Sequence, residues 1–170
     1  MPEAGLTSIF DMGLRRVRNY TAELRREMGK VGADTGFRIF KIDTSNMADV
    51  YYAPDALNRH QIDALVDNVK PDRSGEDLLF QVMLDWGVDL ALPIAKESMH
   101  GKDVFFVDGN ALIACFDAFG GIDEAFVKQL AKHGPLRVVF RDRGFKDDAV
   151  KINVEQVFKL LSPSTEVKCI

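Results

Sequence analysis

Three carboxylates stand close together in the stretch "VVFRDRGFKDDAVKINVEQVFKLL", residues 138–161. Asp142, Asp147 and Asp148 follow the apolar run Val138, Val139 and Phe140, and Arg141, Arg143 and Lys146 are threaded among them. The apolar run reads as a strand, and the three-to-four spacing after Asp147 reads as a helix. Open α/β sheets bind ligands beyond the carboxyl ends of their strands. In that place Asp142, Asp147 and Asp148 could hold magnesium with Lys146 assisting, as in a metal-dependent nuclease. The same residues also have an architectural use. Asp147 and Asp148 fall in the first turn of the helix, where carboxylates cap free amides and oppose the positive end of the helix dipole. Arg141, Arg143 and Lys146 are near enough in sequence to balance them, and the pattern favours this second use.

Other chemistry finds less support. His60, His100 and His133 are scattered, and no histidine or cysteine pair has the spacing of zinc ligands. There is no G-x-x-x-x-G-K-[ST], no G-x-G-x-x-G and no G-x-S-x-G. "FGGID", residues 119–123, joins a strand to a helix, where backbone amides can hold an anion. Two glycines read more simply as a tight turn. Cys115 and Cys169 each sit in an apolar run and read as small buried hydrophobes rather than a disulfide.

A second group of charges lies near the N-terminus. In "MGLRRVRNYTAELRREMGK", residues 12–30, Leu14, Val17, Tyr20, Leu24 and Met28 share one helical face. Arg15, Arg16, Arg18, Arg25 and Arg26 cover much of the rest. These arginines could contact phosphates, in a strongly salt-dependent way. The narrow apolar stripe suits packing on a partner helix or another domain, and with no base-reading module in the sequence that use is favoured.

The elements that must position these groups follow from hydrophobic spacing. Residues 1–33 read as a basic, amphipathic helical arm with loose residues before position 12, and 34–170 as an α/β domain. "GFRIFKID" alternates as a strand does. Residues 56–69 read as a helix that Pro71 ends. "SGEDLLFQVMLDWG" is a helix capped by Ser74 with Asp77 three residues on. The lone Trp86 could line a ligand site, but it continues the helix's apolar stripe and reads more simply as a core anchor. "LALPIAKESM", "DVFFVDG" and "ALIACFDA" read as strands of an antiparallel meander joined by Gly-containing turns. Strand, helix, strand, helix, strand then follow, ending in "TEVKCI". That alternation predicts parallel neighbours with crossovers, hence a mixed sheet with packed helices.

The whole chain has 170 residues, 46% apolar and 28% charged, with a formal net charge of −4. Those values suit one compact domain, or a domain plus an arm, and give no whole-chain case for nucleic-acid binding. No apolar run approaches the roughly 20 residues that span a bilayer. With no export signal and few cysteines, the expected compartment is the cytoplasm, without a membrane partner.

Three separated stretches carry a resemblance. "GFRIFKIDTSN" (36–46), "NVKPDRSGEDLLFQVMLDWGVDLALPIAK" (68–96) and "VVFRDRGFKDDAVKINVEQVFKLLSPSTEVKCI" (138–170) together resemble the C-terminal region of type III restriction-modification methyltransferases, and "GLRRVR" resembles the G-x-R-R segment leading into it. These are the modification subunits, adenine-specific DNA methyltransferases. The resemblance runs in order over residues 12–170. It implies S-adenosylmethionine as the cofactor of the full-length family, but the D-P-P-Y-type and F-x-G-x-G-type motifs that carry catalysis and cofactor binding are not in this sequence. It therefore implies an accessory region with no catalytic, cofactor or metal residue of its own. The partners it implies are the remainder of a modification subunit, another copy of the chain, and the restriction helicase-nuclease subunit.

Overall fold

A strand covered on both faces needs apolar side chains at successive positions, not alternate ones. The runs 104–107, 112–115 and 138–140 meet that need, and in the computed structural model all their residues are buried. The structure describes residues 8–28, 36–48 and 68–170. Contacts divide the chain into two units, Met1–Ile42 and Asp43–Ile170.

The second unit is a five-stranded mixed sheet in the order β1-β2-β3-β4-β5. The strands are β1 (Ile94–Met99), β2 (Lys102–Val107), β3 (Leu112–Cys115), β4 (Arg137–Phe140) and β5 (Glu166–Cys169). β1, β2 and β3 pair antiparallel, and β3, β4 and β5 pair parallel. The expected meander and crossovers are both present. β1 forms one edge, with Lys96, Glu97 and Ser98 exposed and Lys96 Nζ 2.8 Å from Asp103. Charges on an edge strand oppose pairing with a further chain.

Two hydrophobic layers sandwich the sheet. On one face Val104, Ile113, Cys115, Val138 and Phe140 meet the crossover helices α3 (Glu124–Ala131) and α4 (Asp148–Leu161) through Phe126, Leu130, Val154 and Phe158. On the other, Phe105, Val107, Leu112, Ala114 and Val139 meet α2 (Gly75–Asp85) through Leu78, Leu79, Val82 and Met83. Burial of such side chains contributes about 1.5–3 kcal/mol each.

α2 begins as its sequence indicates. Ser74 Oγ accepts from Asp77 N at 3.2 Å, and the Asp77 carboxylate accepts from Ser74 N at 2.8 Å. Asn46 fastens the segment before it, donating through Nδ2 to Asp77 O and Gln81 Oε1. Trp86 caps the far end and is half-buried.

Three expectations need correction. The first unit holds α1 (Ile9–Met28), which starts three residues before the predicted Met12. Ser8 is the reason: its Oγ accepts from Asp11 N at 3.1 Å, so the helix is capped earlier than its apolar stripe begins. Residues 36–42 form no strand, and Phe37, Ile39, Phe40 and Ile42 are exposed. Alternation records a fit to a pleated surface and does not itself supply a neighbouring strand. The helix expected over 56–69 lies mostly outside the described residues. Its last positions, Asn68 and Val69, are not helical, and Val69 bridges antiparallel to Met47.

The capping box gives α2 a pH dependence. Hydrogen bonds from the Ser74 hydroxyl and amide hold the Asp77 carboxyl below its ordinary pKa. A depressed pKa means stability that is fully present above the unfolded value of about 3.9 and is lost as pH falls through the folded one. Ser74→Ala should lower stability by about 1 kcal/mol at neutral pH and flatten the acid limb below about pH 4. Urea midpoints across pH test this; an unchanged acid limb counts against it.

Candidate functional site

The charged turn leaves β4 between the ends of its two neighbours. Arg141 N donates to Cys115 O at 3.2 Å, and Asp142 N donates to Ile170 O at 2.7 Å. A 3-10 turn over Asp142–Gly144 follows, closed by Gly144 N to Arg141 O at 2.9 Å. The chain then pairs with the loop that enters α3. Ile122 N donates to Gly144 O, and Lys146 N donates to Ile122 O, each at 2.9 Å. Phe145 is buried beneath and packs on Phe140, ring centroids 5.4 Å apart.

Gly144 is required by this contact. A Cβ there would overlap the Asp117 carbonyl oxygen and come within 2.9 Å of Ile122 Cδ1. Backbone against backbone cannot give way as a flexible side chain would. The entry loops of α3 and α4 are thus joined over the carboxyl ends of β3 and β4, where a ligand would otherwise be sought.

The carboxylates are used by the fold. Asp142 Oδ1 lies 2.6 Å from Lys151 Nζ, and that hydrogen bond raises the lysine's pKa above its ordinary value. Asp147 is the N-cap of α4, its side chain accepting from Val150 N at 2.9 Å. Asp148 is exposed in the first helical turn. Arg141 is half-buried, while Arg143 and Lys146 are exposed. The cap was legible from sequence, but the Asp142–Lys151 pair was not. Lys151 comes close only because the turn reverses the chain, and no local spacing signals that. Among the described residues, no three His, Cys, Asp or Glu side chains are grouped so as to hold a metal ion.

"FGGID" has a similar internal use. Its Phe119 and Gly121 amides donate to the Asp117 carboxylate, at 3.4 and 3.2 Å. The amides that might have met an anion face the chain's own. Gly120 has φ +68°, a left-handed conformation suited to glycine. Asp123 then caps α3, accepting from Phe126 N at 2.8 Å, and this amide lowers its pKa.

Sequence reading also missed a charged cluster around Trp86. Arg137 donates to Trp86 O at 3.1 Å, and its guanidinium lies 5.4 Å from the indole centroid. Lys168 Nζ is likewise 5.4 Å from that centroid. Glu166 pairs with Arg137 at 3.3 Å, and Asp85 with Lys168 at 4.0 Å. The group forms only when β4 and β5 lie side by side, so Trp86 is a cation-flanked rim residue as well as a packing one.

Both cysteines are free, and burial pushes each thiol's pKa up to about 11. On α1, Arg15, Arg16, Arg18, Arg25 and Arg26 are all exposed. No helix among the described residues is long and apolar enough to cross a membrane. No protein-family model matches the chain, and no curated protein matches it significantly.

The contacts predict an order of sensitivity across the turn. Gly144→Ala should cost most, about 1–3 kcal/mol, by overpacking two backbones. Asp147→Ala should cost about 1 kcal/mol as a lost cap. Asp142→Ala should cost under about 1 kcal/mol, because its partner is half-exposed. Chemical denaturation of the three variants checks the order; an Asp142 effect exceeding that of Gly144 contradicts it.

Proposed function

We propose that this chain is the C-terminal accessory and assembly region of a type III restriction-modification adenine DNA methyltransferase. Its work is dimerisation or subunit docking, and methyl transfer belongs to an upstream region. The observation that carries this reading is the ordered resemblance of residues 36–46, 68–96 and 138–170 to the family's C-terminal region. The fold gives two of those stretches, though not residues 36–42, regular elements. Residues 68–96 supply α2 and the start of β1, and 138–170 supply most of β4, the charged turn, α4 and β5.

S-adenosylmethionine, on this reading, binds the full-length family's catalytic region and not this chain. The partners are the remainder of a modification subunit, a second copy, and the restriction helicase-nuclease subunit, all in the cytoplasm. The chain alone should transfer no label from S-adenosylmethionine to duplex DNA. It should co-purify with a modification subunit truncated before this region. Methyl turnover by the isolated chain, or no co-purification, contradicts the proposal.

A DNA contact is the second reading, and one observation favours it. At 100° per residue Arg15, Arg18, Arg25 and Arg26 fall within one third of the circumference of α1, with Arg25 next to Leu14 at the edge of its apolar stripe. Each phosphate contact would change the slope of log affinity against log salt by about 0.9. Replacing Arg15, Arg16 and Arg18 with alanine should lower that slope if the arm meets DNA. An unchanged affinity and slope remove this reading.

A further inference from the structure

We draw no further inference here: the strongest candidate, the exposed apolar patch that Ile9, Phe10, Val17 and Tyr20 form on α1, carries nothing because nothing in the structure shows what covers it.

Discussion

The structure depends on a sheet whose central strands are buried on both faces. Residues 104–107 of β2, 112–115 of β3 and 138–140 of β4 present apolar side chains up and down at successive positions, while Lys102, Asp103 and Arg137 stand at the strand starts. Phe105 and Val107 serve the α2 layer, and Val104 and Phe106 the α3–α4 layer. Polar function is pushed to loops and outer helix faces. The carboxyl ends of β3 and β4 are the usual place for a ligand in such a sheet. Here the two loops above them hydrogen-bond to each other, with Gly144 drawn against the Asp117 carbonyl. That close approach turns a potential site into a structural joint.

The fold was legible where its determinants are local or periodic. Ser74 and Asp77 announce a helix start, and Asp147 does so less fully. The runs "DVFFVDG" and "ALIACFDA" announce antiparallel neighbours, and the later alternation announces parallel ones. What was not legible depends on contacts distant in sequence. Asp142 finds Lys151 only after the turn reverses the chain. Trp86 gains Arg137 and Lys168 only when β4 and β5 are adjacent. Residues 36–42 have a strand's alternation without forming a strand, because the pattern describes a side-chain surface and not the neighbour that a strand requires. Ser8 differs in that its cap signal is local, but it stands ahead of the stripe that runs from Leu14 and so is not marked by periodicity.

The two units answer different physical demands. The second packs a large apolar core in two layers and uses Asp77, Asp123, Asp142 and Asp147 in caps and an ion pair. The first displays apolar side chains along α1 beside a cationic face. The assembly role proposed above would draw on the first unit's exposed helix rather than on the second unit's buried layers.

The central claim is that the charged turn after β4 serves the architecture, with Asp142 paired to Lys151 and Asp147 capping α4. Isothermal titration with Mg²⁺ tests it most directly, comparing the unaltered chain with Asp142→Ala. The account predicts no saturable heat in either, because Asp142 is engaged by Lys151 and Asp147 by the helix start. A saturable site in the unaltered chain that Asp142→Ala abolishes would contradict it.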